Sequence, residues 1–280
     1  MTAFENLVST LVQAKIPSPR LEARLLLAKV LQKDCQDTAL LSAELSEKQE
    51  SLLHDLVIRR AQTHEPLDKI IGTKGFYKYD FAVNENVLSP RPETEILLEE
   101  ALNLSQNKQV SILDLGTGSG CILLSLLKEN PQARGVGVDI SDKALEVARQ
   151  NAKKLEVEAQ VEWKNLSWDE DDFLSQLQDK FDIIVSNPPY IADDEIPFLE
   201  PEVKNYDPIL ALSGGKDGYV AYRRLAELTP KLLKKNSYIL LECGINQAQE
   251  VANIFMKQGL SLCKIAKDLQ NIERCVILKK

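Results

Sequence analysis

The stretch Phe181-Asp-Ile-Ile-Val-Ser186 is an apolar run that stops abruptly in Asn187-Pro-Pro-Tyr190. A run of this kind fits a strand buried on both faces, as in the middle of a parallel sheet. Proline fixes φ and has no N–H to give a ladder, so Pro188-Pro189 must close the strand in a stiff loop. In open α/β sheets the carboxyl ends of the strands are where ligands bind. The rest of the chain can be read outward from this edge.

Four further segments read as strands: Val110-Ser-Ile-Leu-Asp-Leu115, Arg134-Gly-Val-Gly-Val-Asp139, Val161-Glu-Trp-Lys164 and Ser237-Tyr-Ile-Leu-Leu-Glu-Cys-Gly244. Helices are expected from Cys121 to Leu127, from Asp142 to Lys154 and from Gln247 to Met256. Strands alternating with helices predict an α/β fold, a doubly wound sheet of Rossmann-like type. Leu260 to Ile265 and Arg274 to Leu278 are expected to end it as an antiparallel pair.

The first 65 residues have a different rhythm. Leu7, Leu11 and Ala14 mark one helical face, and Leu21, Leu25, Ala28 and Leu31 another, with Pro17-Ser-Pro19 between them. Ser46-Glu-Lys-Gln49 is a capping box that opens a helix through Leu53, Val57 and Ala61. From Pro66 onward, Ile70-Ile71-Gly72 and then Gly75 to Val83 are β-rich, which predicts a hairpin. Pro90 and Pro92 hold Arg91 extended, and Pro92 with Glu93 and Glu95 makes a favourable helix start. The expected division is a helical domain over 1–72, a hairpin linker over 73–90 and a sheet domain over 91–280.

Composition removes several classes of function. The net charge of -8 disfavours affinity built on phosphate contacts, and no basic arm is visible. Only His54 and His64 are present, so neither a histidine-based metal site nor a Ser-His-Asp triad is expected. Cys35, Cys121, Cys243, Cys263 and Cys275 have neither metal-ligand nor redox spacing, and all five read as small buried hydrophobes. An odd number of cysteines, with no secretory signal and no run long enough to span a bilayer, points to the cytoplasm.

Two motifs carry chemistry. Gly116-Thr-Gly-Ser-Gly120 lies between a strand and a helix, and Asp139 ends the next strand. Glycines there admit close approach of a nucleoside, and the acid suits ribose hydroxyls. This pair alone leaves NAD and S-adenosylmethionine open. Asn187-Pro-Pro-Tyr190 decides between them, because a planar amine or amide substrate needs acceptors for its N–H groups and a flat wall. Asn187 Oδ1 and the Pro188 carbonyl can accept those hydrogens, and Tyr190 can pack on the plane. Hydride transfer has no such need. Methyl transfer from a sulfonium can run largely on alignment.

At this point the chain resembles the HemK/PrmC methyltransferases of peptide chain release factors. The resemblance rests on Pro90-Arg-Pro-Glu-Thr-Glu95, Asp114-Leu-Gly-Thr-Gly-Ser-Gly120, Asn187-Pro-Pro-Tyr-Ile191, Ala211-Leu-Ser-Gly-Gly-Lys-Asp-Gly218 and Glu242-Cys-Gly-Ile-Asn-Gln247. It implies a helical N-terminal domain that docks the partner, a hairpin linker and a class I methyltransferase domain. It implies that Gly116, Thr117, Gly118, Ser119 and Gly120 line the S-adenosylmethionine site with Asn187, that Asp139 holds the ribose and that Trp168 borders the adenine. It also implies that Asn187, Pro188, Pro189 and Tyr190 grip the glutamine of a Gly-Gly-Gln loop, with no metal and no direct nucleic-acid contact. The alternatives are a ribosomal-protein glutamine and, further off, an adenine N6 in nucleic acid. Three departures from the family pattern are Ser89 for an aliphatic residue, and His64 and Asn271 where glycine is usual.

Overall fold

A computed structural model describes residues 2–106, 108–177 and 179–280. Contacts divide the chain into two units, Met1–Thr73 with Glu200–Tyr206, and Lys74–Leu199 with Asp207–Lys280.

The first unit is helical: α1 (Ala3–Gln13), α2 (Pro19–Leu31), α3 (Glu47–Ala61) and α4 (Leu67–Ile71). Thr2 and Glu5 cap the start of α1 reciprocally, Glu5 N donating to Thr2 Oγ1 at 3.2 Å and Thr2 N to Glu5 Oε2 at 3.1 Å. Leu7, Leu11, Leu26, Leu27, Leu40 and Ile70 form its core.

One expectation fails in part in this unit and another fails. The buried face of α2 is Ala23, Leu26, Leu27, Ala28 and Val30, so Ala28 is buried as expected and Leu31 packs on the same core, while Leu21 is exposed. The helix is turned so that Glu22 faces inward, where its carboxylate receives Arg60 Nε at 2.6 Å. Arg60 is itself buried and also donates to Glu202 Oε1 at 2.7 Å, so the pair is compensated from both sides. The other failure is Ile70-Ile71-Gly72, which is helix and turn instead of strand. Gly72 adopts φ 83 as the left-handed cap of α4, and its N–H returns to the Asp68 carbonyl. A short apolar pair carries too little period to tell the two states apart.

The second unit opens with the hairpin of β1 (Thr73–Phe76) and β2 (Tyr79–Ala82). Helix α5 (Glu95–Ser105) follows, after a 3-10 turn at Pro92–Thr94. Then come β3 (Ser111–Leu115), α6 (Cys121–Glu129), β4 (Arg134–Asp139), α7 (Asp142–Leu155), β5 (Val161–Asn165) and β6 (Phe181–Ser186). The helix Val220–Leu232 leads into β7 (Leu233–Glu242), and the helix Ala248–Met256 into β8 (Ser261–Lys267) and β9 (Glu273–Lys279).

Seven strands form one sheet in the order β5-β4-β3-β6-β7-β9-β8, parallel from β5 to β7 and antiparallel at β9 and β8. Both faces are covered, which explains the unbroken apolar runs. On β6, Ile184 points to the face packed by Tyr222, Leu225, Val251 and Phe255. Ile183 and Val185 point to the opposite face, packed by Leu97, Leu98, Leu123 and Leu127. Strand β7 begins earlier than expected, at Leu233, because a register shift and Asn236 at φ 61 let a bulged segment keep pairing with β6. The cysteines depart from uniform burial: Cys35 is half-buried, and Cys263 is exposed on β8, the strand at one edge of the sheet.

Candidate active site

Strand β3 has β4 on one side and β6 on the other, so the chain winds away from it in both directions. This is the topological switch point, and a crevice opens at the carboxyl ends of β3 and β6. The glycine loop leaves β3 there and Asn187-Pro-Pro-Tyr190 leaves β6. Ser186 Oγ donates to the Leu115 carbonyl at 2.6 Å and ties the two strand ends together. The N–H groups of Gly116 and Thr117 both donate to the Val138 carbonyl, at 2.9 and 3.0 Å, which folds the loop back over β4. A cavity of about 390 Å³ lies in the crevice.

One end of the cavity has the features of a nucleoside site. Gly116, at φ 77, faces the Trp168 ring, and a Cβ there would stand 3.5 Å from it. Gly118, at φ 55, has nothing within 4 Å of where its Cβ would be, so its backbone is open to a ligand. Asp139 Oδ2 accepts from Gly118 N at 2.8 Å and Oδ1 from Ser141 N at 2.9 Å. A carboxylate has about four lone-pair positions, so two remain for hydroxyl donors. Burial raises the Asp139 carboxyl above the usual range, opposed by these N–H groups. Below the loop, Asp114 is fully buried. Its Oδ2 accepts from Thr117 Oγ1 at 2.6 Å, and Oδ1 has no hydrogen-bond partner. Burial pushes this carboxyl up to about 7, with a contribution from the negative charge of Asp139.

The other end is shaped by Asn187 and Pro189, which line the cavity with Arg91 and Thr94. Asn187 Nδ2 donates to Thr94 Oγ1 at 3.4 Å. Arg91 is held extended, as its flanking prolines require, and Nη2 pairs with Asp207 Oδ2 at 2.7 Å. Tyr190 is fastened from behind. Its carbonyl accepts from Gln247 Nε2 at 3.0 Å, and its ring lies against Gly244, whose Cβ would come within 3.1 Å of it. Burial raises the Tyr190 hydroxyl, and the charge of Glu242 adds to the shift. Glu242 ends β7 and is buried, with Oε2 unpartnered. Burial pushes its carboxyl up to about 7, while Thr94, Arg274 and Asn187 act in the opposite direction.

Of the residues predicted from sequence, Gly116, Thr117, Gly118, Ser119, Asp139, Trp168, Asn187 and Pro189 line this cavity. Gly120, Pro188 and Tyr190 are not among the residues that line it. Gly120 has φ 79 and a Cβ there would meet Leu124 Cδ1 at 2.9 Å, so its role is to let α6 start close to the sheet. Sequence reasoning missed Thr94, Arg224, Glu242 and Gln247 as parts of the site. Arg224 Nε donates to the Trp168 carbonyl at 2.8 Å and so holds the tryptophan loop. The signal for Glu242 was present, since an acid ending an apolar strand beside β6 must lie at the same sheet edge. Among the described residues, no group of three or more His, Cys, Asp or Glu is placed to hold a metal ion. Nor is any helix among them long and apolar enough to cross a membrane.

A sulfonium nucleoside fits these residues. The open backbone at Gly118 admits it, Asp139 keeps free lone pairs for a ribose, and Trp168 offers a flat wall. Asp139 and Asp169 in the lining suit a cation.

Residues 2–72 match the PrmC N-terminal domain and residues 91–199 the methyltransferase small domain. A release factor glutamine methyltransferase of Rhodospirillum rubrum is 40% identical over 267 residues, covering 95% of this chain and 81% of that protein. One of Caulobacter vibrioides is 43% identical over 235 residues, covering 84% and 80%. Among solved structures, a methyltransferase from Pyrococcus furiosus superposes with TM-score 0.51 at 16% identity, covering 84% of this chain and 99% of that one, which shows a shared fold.

Proposed function

The chain belongs to the release factor glutamine methyltransferases, and from that premise we propose that it methylates the side-chain amide nitrogen of the glutamine in the Gly-Gly-Gln motif of peptide chain release factors. The observation that carries this reading is that Gly116 to Ser119 and, from the Asn187-Pro-Pro-Tyr190 motif, Asn187 and Pro189 line one cavity at the switch point.

S-adenosylmethionine, when bound, supplies an electrophilic methyl group on a sulfonium. The protein's part is to bind and orient. Gly116 to Ser119 and Asp139 hold the nucleoside, and Trp168 bounds the base. An amide nitrogen is a poor nucleophile because its lone pair is conjugated with the carbonyl. Asn187 Oδ1 and the Pro188 carbonyl accept the two amide hydrogens, so the nitrogen is turned toward the methyl. The same acceptors stabilise the positive charge that develops on nitrogen, which is preorganised electrostatic assistance. Orientation of this kind can supply roughly 7–11 kcal/mol of a barrier. The proton leaves to water after transfer. A cytoplasmic location goes with this reading, and five unpaired cysteines suit a reducing compartment.

The test is transfer of label from S-adenosylmethionine to purified release factor, to the same factor with the Gly-Gly-Gln glutamine changed to alanine, and to an adenine-rich DNA. Label on the wild-type factor alone is the expected result. Label on the DNA, or equally on both factors, would overturn the assignment.

A further inference from the structure

Glu242 has no part in the chemistry above, yet it stands behind the residue on which that chemistry depends. Leu241 pairs with Ser186 across β7 and β6, so Glu242 and Asn187 leave adjacent strands at the same level. Glu242 and Thr94 are each only 2% exposed, and Glu242 Oε2 has no hydrogen-bond partner. Asn187 Nδ2 donates to Thr94 Oγ1 at 3.4 Å, and both side chains adjoin the Glu242 carboxyl.

The chemistry of this cluster selects one orientation of the Asn187 amide. Above about pH 7, where Glu242 is ionised, its carboxylate only accepts hydrogen bonds, and the Thr94 hydroxyl has a single hydrogen to give. The NH2 end of Asn187 therefore belongs on the Glu242–Thr94 side, which leaves Oδ1 for the cavity. That is the atom required to accept an N–H of the substrate amide. A flipped Asn187 would set N–H donors against N–H donors. A buried carboxylate is also a poor choice for stability alone, because an apolar side chain there avoids its desolvation.

We propose that Glu242, acting with Thr94, is a positioning residue that fixes the Asn187 amide with its oxygen toward the substrate. The inference rests on the reading that Asn187 grips the glutamine amide. A glutamine at 242 keeps the shape but can present either end to Asn187, so it removes the selection and little else.

The experiment is single-turnover methyl transfer to release factor, with cofactor affinity by calorimetry and the unfolding midpoint for each variant. Transfer by the wild-type enzyme is measured first, and its failure would sink the functional reading, not this inference. With that in hand, Glu242→Gln should lower the transfer rate by about tenfold or more, with cofactor affinity held within about twofold. In an Asn187→Ala background the same substitution should change almost nothing. Thr94→Val repeats the cycle and decides the matter alone if Glu242→Gln does not fold. An unchanged rate in the variant that folds, or an equal fold-loss with and without Asn187, would overturn the proposal.

Discussion

Gln247 Nε2 donates to the Tyr190 carbonyl at 3.0 Å while its Oε1 accepts from Gly244 N at 2.9 Å. One amide side chain thus joins the exit of the substrate loop to the turn that follows β7. Both of its ends are used, one as donor and one as acceptor, which a carboxylate cannot do. Gln247→Glu cannot donate to the Tyr190 carbonyl and sets two acceptors against each other. It should be at least as harmful as Gln247→Ala, with a cost of about 1–3 kcal/mol in transition-state stabilisation. The expected pattern is a fall in kcat/KM for release factor with cofactor affinity unchanged. Calorimetry and steady-state kinetics on both variants check it.

Two glycines should respond in opposite ways to the same change. Gly218, at φ 76, would place a Cβ 2.6 Å from the Tyr190 carbonyl oxygen, a backbone atom with no rotamer to escape into. Gly218→Ala therefore combines left-handed strain with a clash and should destabilise by on the order of 2–4 kcal/mol. Gly118, at φ 55, has open space around its Cβ position, so Gly118→Ala should cost only about 1–2 kcal/mol of stability. Its added methyl stands in the cavity, and the larger effect should be on cofactor affinity. Urea unfolding separates the first variant and cofactor titration the second.

Asp139 does two jobs, since it caps Gly118 N and Ser141 N and keeps lone pairs for ribose hydroxyls. Hydrogen bonds to a charged group are worth about 1.5–3 kcal/mol. Asp139→Ala should accordingly weaken S-adenosylmethionine binding by roughly ten- to a hundredfold. The transfer rate at saturating cofactor should fall much less. Asp139→Asn keeps one acceptor and should lie between the two. An unaltered affinity in Asp139→Ala would remove the ribose assignment.

Most of the sheet was legible because its strands are buried on both faces, and that burial writes itself as runs such as Phe181 to Ser186. Backbone needs were also legible where one residue type is strongly preferred. Asn271, a residue that tolerates positive φ, stands at φ 64, whereas nothing in the residue itself signals the φ 55 of His64. What stayed hidden depends on tertiary partners. The inward turn of Glu22 on α2 is met by Arg60, 38 residues away in sequence. Thr94, Asn187 and Glu242 come from three elements that only the sheet order brings together. No spacing in the chain announces such a cluster.

The two buried carboxyls at the site give stability a characteristic pH dependence. Asp114 and Glu242 are each pushed up to about 7 by burial, from ordinary values of 3.8 and 4.5. Between those limits the folded protein holds protons that the unfolded chain has released. Their contribution to stability is therefore complete at low pH and is lost as pH rises through about 7. Each is worth on the order of 3–4 kcal/mol across the window. Carboxyls whose values are lowered by partners, such as Asp182 beside Lys234, act in the opposite direction, so the total pH profile is a poor readout. The difference between wild type and an isosteric amide variant isolates each group. Relative to wild type, Asp114→Asn and Glu242→Gln should each be more stable at pH 8 than at pH 5, measured by urea unfolding at both. A difference that does not move with pH in either variant would mean that the carboxyl is ionised over the whole range. Its missing partner would then have to be supplied by bound water.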